Sequence, residues 1–228
     1  YQNRDETEAG NFSDRLLSFL QPLPEARMLD AACGEGRFAI QLAARGYDVT
    51  GIDLSHNAIE KAKAYEHDRL HFFIHDMRFP FYINYFDYVF NFFTSFGYFK
   101  YDRDNISAAK SFAKALKPGG TLVIDYLNTP YVMARLVPRE TIIRGSYIFD
   151  IERRVERGRF VKDIRFTDSD GKLRHYTEQV AAFTYTDFER IFEAAGMAIT
   201  HVFGDYTLAD YNPESSPRMI LILKKQHA

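Results

Sequence analysis

Apolar residues in this chain follow two different spacings, and the change between them divides the sequence. In the first part, short apolar runs alternate with stretches of helical period. Phe12, Leu16, Phe19 and Leu20 share one helical face, and Pro22 and Pro24 follow, so the spacing predicts an opening helix. Met28 to Ala31 reads as a strand and Arg37 to Arg45 as a helix stopped by Gly46. Val49 to Leu54 is a second strand, and Ser55 is placed to cap a helix running to about His67. Leu70 to Ile74 and Tyr88 to Phe92 are further strands. Ala108, Phe112, Ala115 and Leu116 mark a helix face, ended by Pro118-Gly119-Gly120, and Thr121 to Tyr126 is a fifth strand. This order, strand then helix repeated, predicts a parallel sheet covered on both faces.

From Arg139 to Ala182 the helical period is absent. Turn signals at Arg157-Gly158-Arg159 and Asp168-Ser169-Asp170-Gly171 separate β-rich pieces, which predicts an antiparallel insertion of three or four strands. Between Arg139 and Glu178 ten basic residues mix with eight acidic ones, the mark of a solvated face. The α/β pattern then returns. Thr186 and Glu189 have the spacing of a capping box, and Phe188, Ile191, Phe192 and Ala195 form the stripe of a helix closed by Gly196. Ala198 to Phe203 and Met219 to Leu223 are the last strands. The segment between them, Thr207 to Arg218, is too short for the usual helical crossover, so the final strand is expected antiparallel.

Composition narrows the function classes. With 228 residues, 46% hydrophobic and 26% charged, the chain fits one soluble domain spanning 1–228, with 139–182 inserted in it. A net charge of -2 and the lack of any long Lys or Arg run give no support to nucleic-acid binding. No apolar run approaches the ~20 residues of a membrane-spanning helix, and the polar stretch Tyr1 to Gly10 is unlike a signal peptide. The lone Cys33 excludes an internal disulfide and suits a reducing compartment, so a cytoplasmic location is expected. The seven His show no metal-ligand spacing, and no metal is expected.

The chemistry concentrates in Leu29-Asp30-Ala31-Ala32-Cys33-Gly34-Glu35-Gly36-Arg37, at a strand end opening into a helix. Glycines there let backbone approach a ligand, and the helix N-terminus offers free N–H groups. A side chain on either glycine is expected to intrude where backbone meets ligand. Asp53 follows Gly36 by seventeen residues, at the end of the next strand, a spacing that suits a carboxylate accepting from both ribose hydroxyls of an adenosine. Gly34-x-Gly36-x-x-Ala39 also satisfies the dinucleotide fingerprint. The flanks favour another ligand. Asp30 would repel a pyrophosphate but suits an ammonium, and His75-Asp76-Met77 puts a carboxylate after the third strand, where an adenine amino group can donate to it.

With these motifs in place, the sequence resembles the class I S-adenosylmethionine (SAM)-dependent methyltransferases. Leu29 to Gly36 is similar to their first motif, Val49 to Ser55 to their second strand with its ribose acid, and Leu116 to Gly120 to their Pro-Gly-Gly turn. Asn91 to Phe99, the insertion and the tail Phe203 to Ile222 look like a bacterial branch acting on small molecules. The resemblance implies a Rossmann-like α/β fold with a seven-stranded sheet, its last strand antiparallel. It implies SAM as methyl donor, S-adenosylhomocysteine (SAH) as product, and an unidentified small-molecule acceptor. The cofactor residues expected are Asp30, Ala32, Gly34, Gly36, Asp53, Leu54, Asp76, Met77 and Phe92, with Arg4 and Tyr1 able to fold over the cofactor carboxylate.

Tyr98, Tyr126, Asn128 and Tyr206 fall near the C-terminal strand ends, where open α/β sheets bind ligands, and are the candidate acceptor residues. The insertion leaves that same edge and is expected to form a lid. Cys33 reads as an apolar filler and His75 as a wall or solvated ring. Three rival functions are methylation of nucleic acid, a SAM-binding protein without catalysis and an NAD(P)-dependent oxidoreductase. For the first, Asn91-Phe92-Phe93-Thr94 is only loosely similar to the Asn-Pro-Pro-Tyr/Phe site of amino methyltransferases, lacking both prolines, and the net charge is wrong for a polyanion. The last would need a Tyr-x-x-x-Lys pair in a plausible site, and none is evident.

Overall fold

The structure, a computed structural model, describes residues 6–226, with side chains from residue 11 onward. Helix α1 (Glu6–Leu20) buries Phe12 and Leu16. Five strands and three helices follow, β1 (Arg27–Ala31), α2 (Arg37–Ala44), β2 (Asp48–Asp53), α3 (His56–Ala62), β3 (Leu70–Ile74), β4 (Phe86–Asn91), α4 (Asp102–Ala115) and β5 (Leu116–Leu127), with no helix between β3 and β4. After the insertion come α6 (Tyr185–Glu193), β10 (Met197–Phe203) and β11 (Arg218–Lys225). The seven strands lie in the order β10-β11-β5-β4-β1-β2-β3. β11 pairs antiparallel with both β5 and β10, as the short preceding connection requires.

The sheet is covered on both faces. On one face Leu29, Val89 and Ile124 pack with Ala108 and Phe112 of α4 and with Phe188 and Phe192 of α6. On the other, Met28, Val49 and Phe90 pack with Phe12, Phe38 and Ile59. Strands buried on both faces need apolar residues at every position rather than at alternate ones, which is why they read as continuous runs.

Three local expectations shift. The helix after Ser55 stops at Ala62 and tightens into a single 3-10 turn over Lys63–Tyr65, short of His67. The capping box of α6 is built from Thr184 and Asp187 rather than Thr186 and Glu189. The Thr184 N–H donates to Asp187 at 2.9 Å, and the Asp187 N–H donates to Thr184 Oγ1 at 3.4 Å. Thr184 is the residue still in extended conformation, so only its side chain can reach the first free amides. Finally, β5 begins at Leu116, before the Pro-Gly-Gly turn, which is absorbed as a register shift opposite Phe86 and Tyr88.

The insertion is a four-stranded antiparallel meander of β6 (Arg139–Arg144), β7 (Tyr147–Glu156), β8 (Arg159–Thr167) and β9 (Leu173–Ala181). Two of its turns fall at the expected signals, and the third at Gly145-Ser146. A short helix, α5 (Thr129–Ala134), with Pro130 in its first turn, precedes it and is not apparent from periodicity. The insertion is bonded to the body at its root. The Ala181 N–H donates to the Gly97 carbonyl at 2.9 Å, and Arg159 donates to the Phe99 carbonyl. No helix among the described residues is long and apolar enough to cross a membrane.

Candidate functional site

The loop between β1 and α2 is built from left-handed backbone, with Ala32 at φ 62°, Gly34 at 57° and Gly36 at 81°. The two glycines do different work. A Cβ on Gly34 would meet nothing within 4 Å, so that side of the loop is open. A Cβ on Gly36 would lie 2.5 Å from the Phe72 ring, so Gly36 is required by the packing of the loop on β3 rather than by ligand approach. Ala32 holds a left-handed conformation without being glycine, at a cost on the order of 1–2 kcal/mol.

Asp53 faces this loop. Its Oδ2 accepts the Gly34 N–H and its Oδ1 the Ser55 N–H, both at 2.8 Å. The two amides fix the carboxylate and leave its remaining lone pairs available. Leu54, beside it, is 60% exposed, a bare apolar surface at the strand end. Ser55 also caps α3 as expected, accepting from the Ala58 N–H at 3.3 Å.

Asp30 is buried, and burial pushes its carboxyl up to about 7, against the pull of the Ala39 amide and with help from the Asp53 charge. Its Oδ2 has no hydrogen-bond partner. Neighbouring Asn91, at the end of β4, donates to the Ala31 carbonyl at 2.8 Å while its own Oδ1 is also left without a partner. Buried polar atoms are nearly always satisfied, so two orphaned acceptors at adjacent strand ends call for an outside donor. Asn91 is not among the residues that the sequence motifs single out for the cofactor. Its signal was a single amide closing the apolar run Tyr88-Val89-Phe90.

The other expected cofactor residues divide. The Met77 sulfur lies 3.9 Å from Asn91 Nδ2. Asp76 is gripped by Arg78, whose Nε donates to Asp76 Oδ2 at 2.9 Å, and this hydrogen bonding holds the carboxyl below its usual range. Phe92 points into the core, its ring 5.4 Å from Phe12 and 4.3 Å from Phe38 between centroids. Burial pushes the Cys33 thiol up, so it stays unionised and inert. His75 is partly exposed with its Nε2 2.9 Å from the Phe79 carbonyl. Tyr1 and Arg4 lie outside the described residues.

A cavity of about 220 Å³ opens between the C-terminal strand ends, α5 and the insertion. Of the four candidate acceptor residues only Tyr98 lines it. Tyr126 is fully buried and donates to the Ala181 carbonyl, anchoring the insertion. Asn128 is fully buried too, donating to the Ser216 carbonyl at 2.7 Å and accepting from the Tyr211 hydroxyl at 3.0 Å. Tyr206 sits behind the wall, its hydroxyl donating to Asp125 at 3.0 Å and its ring 4.8 Å from Phe12.

The wall itself is Phe93 and Thr94, two consecutive left-handed residues at φ 58° and 62°. Asp125 accepts the Phe93 N–H at 2.8 Å, and Arg218 donates to Thr94 Oγ1 at 2.9 Å, so buried charge holds this strained turn. Periodicity carries no sign of it; the available signal was Asp125, an aspartate inside the apolar run Leu122 to Leu127. Among the described residues, no group of His, Cys, Asp and Glu is arranged to hold a metal.

Comparison with known proteins identifies the family. A family model described as a methyltransferase domain matches residues 2–202. The putative methyltransferase YqeM of Bacillus subtilis is 29% identical over 204 residues, covering 85% of this chain and 82% of that protein. The dTDP-3-amino-3,4,6-trideoxy-alpha-D-glucopyranose N,N-dimethyltransferase of Streptomyces venezuelae is 28% identical over 214 residues, covering 90% of this chain and 89% of that one. Among solved structures, an S-adenosylmethionine-dependent methyltransferase from Clostridium acetobutylicum superposes with a TM-score of 0.82 at 17% identity, covering 99% of this chain and 94% of that one. The chain belongs to the methyltransferase-domain family and has the fold of its SAM-dependent enzymes.

Proposed function

We propose that the β1–α2 loop, Asp30 and Asp53 hold SAM, and that a small-molecule acceptor binds in the cavity under the insertion and takes its methyl group. The observation that carries this reading is the orphaned Oδ2 of Asp30, buried beside a left-handed loop whose open side is Gly34. An amino-acid ammonium offers the N–H donors that oxygen lacks. Asp53, already oriented by two amides, accepts from the ribose hydroxyls. Leu54 and Met77 flank the adenine, Asp76 accepts from its amino group, and Asn91 Oδ1 is open to a further donor. Ala32 and Gly36 shape the loop, and Phe92 supports it from the core.

When bound, SAM supplies a methyl on a sulfonium, and the chemistry of that bond is the cofactor's own. The chain's contribution is placement. The Phe93–Thr94 turn separates loop from cavity and fixes the direction of approach, and the insertion excludes water. Orientation of this kind contributes on the order of 7–11 kcal/mol. Tyr98 lies in the cavity wall, while Tyr126, Asn128 and Tyr206 brace it from behind. For the acceptor we favour an amine. The named activity of the Streptomyces venezuelae relative is N-methylation of an amino sugar. We place the protein in the cytoplasm, in keeping with a lone cysteine held as a thiol.

The test is a transfer screen with methyl-labelled SAM against a library of small amines, run beside calorimetry with SAH. SAH binding with label on an amine supports the proposal. SAH binding with no transfer to any metabolite class leaves a non-catalytic binder, and binding of NADH in place of SAH sinks the cofactor assignment.

A further inference from the structure

Three residues of the insertion lie in one cross-strand row: Arg153 on β7 is in register with Lys162 on β8, and Lys162 with Glu178 on β9. All three line the acceptor cavity, and the next row on the same face of the sheet brings Phe160 and Val180 to it as well. The charged row is partly open, as is Tyr98. The side chains of Arg153, Lys162 and Glu178 keep 26%, 28% and 38% of their surface, whereas Val180 and Thr94 are buried. The cavity therefore carries two cations and one acid where it is partly open, and its buried part is apolar apart from Thr94 and the paired Arg218.

These cations already have acidic neighbours. Lys162 Nζ stands 3.4 Å from Glu178, and Arg153 contacts Glu140. Pairs of carboxylate and cation at a half-exposed rim are held loosely and exchange for a better anion. Arg218, on the opposite wall, is different. It is committed to fully buried Asp125 and is not part of the rim.

We propose, resting on the reading of this cavity as the acceptor site, that the acceptor is phosphorylated and that Arg153 and Lys162 hold its phosphate. The phosphate carries close to two negative charges at neutral pH and matches two adjacent cations, where a carboxylate matches one. The Arg153 guanidinium binds two phosphate oxygens at once, and the Lys162 ammonium adds a point charge. The body of the acceptor then lies against Phe160 and Tyr98, inside the cavity, with its nucleophile toward the Phe93–Thr94 wall. The insertion thereby selects substrate by charge as well as by shape.

The probes are glucose 1-phosphate, glucose and glucuronate, titrated by NMR into full-length protein saturated with SAH. Glucose 1-phosphate is expected to bind at least tenfold more tightly than either of the others. Arg153→Gln with Lys162→Gln should reduce it to the level of glucose while SAH affinity stays within twofold. Glu178→Gln removes the acid that competes for Lys162 and should tighten glucose 1-phosphate severalfold, an outcome no loss of folding can imitate. Equal binding of all three probes, no binding of any, or preference for glucuronate overturns the proposal. Failure of the wild-type protein to bind SAH is a separate result, and it overturns the cofactor reading beneath it.

Discussion

Asp125 and Arg218 form a buried ion pair across β5 and β11, with Arg218 Nε donating to Asp125 Oδ1 at 2.7 Å and no surface of Asp125 exposed. The same carboxylate accepts from the Phe93 amide and the Tyr206 hydroxyl. One aspartate thus joins strands β5 and β11 to the left-handed turn that walls the cavity. Removing one partner of a buried pair leaves an uncompensated charge and costs about 3–5 kcal/mol. Asp125→Ala is expected to lower stability by that amount in chemical denaturation. Combined with Arg218→Met it should regain most of the loss, because the stranded guanidinium goes too. A single variant as stable as the wild type would show the pair to be irrelevant to the turn.

Asp53 offers one carboxylate to two ribose hydroxyls, and charge-assisted hydrogen bonds contribute ~1.5–3 kcal/mol each. Asp53→Ala should therefore weaken SAH binding by about a hundredfold or more, read by calorimetry. It also frees the Gly34 amide, which adds to the loss. An affinity within about twofold of wild type, roughly 0.4 kcal/mol, would place the cofactor elsewhere.

The glycines predict opposite phenotypes. Gly34→Asn keeps a residue type that tolerates left-handed backbone and adds its side chain on the open side, so thermal stability should change little while SAH affinity falls more than tenfold. Gly36→Val drives a side chain into Phe72 and should destabilise the fold by about 2 kcal/mol or more before any question of binding arises. Thermal melts with and without SAH separate the two. Equal loss of stability in both variants would contradict the distinction.

Asp30 links protons to stability and to binding. Its folded carboxyl titrates near 7, well above the ordinary 3.8, because burial penalises the charge. The folded state therefore holds the proton more tightly than the unfolded chain. The stability from this group is full below about pH 4 and is lost as pH rises toward 7, on the order of 4 kcal/mol in all. Asp30→Asn should flatten that decline. An ammonium beside Asp30 favours the carboxylate, so SAH binding at pH 6 should release close to one proton and at pH 8.5 almost none. Calorimetry in buffers of different ionisation enthalpy measures this. Proton release equal at the two pH values would remove Asp30 from the ammonium site.

The order of the strands, the insertion, the antiparallel last strand and the placement of Asp30, Gly34 and Asp53 at the ends of β1 and β2 and in the loop between them were readable from the sequence, because each is a local matter. A strand buried on both faces must be apolar throughout, a hairpin needs Asp-Gly or Arg-Gly at its turn, and a connection of a dozen residues leaves no room for a helical crossover. The tertiary structure decided what depends on distant partners. Whether a tyrosine near a strand end meets solvent or a carbonyl turns on what packs above it: Tyr98 faces the cavity, while Tyr126 is closed over by Ala181, 55 positions further on. Phe92 and Gly36 belong to the core because Phe38 and Phe72 arrive there from other elements. The Phe93–Thr94 turn, and the row of Arg153, Lys162 and Glu178, exist only where separate strands come into register. Burial and charge pairing between residues far apart in the chain leave no period for a sequence to show.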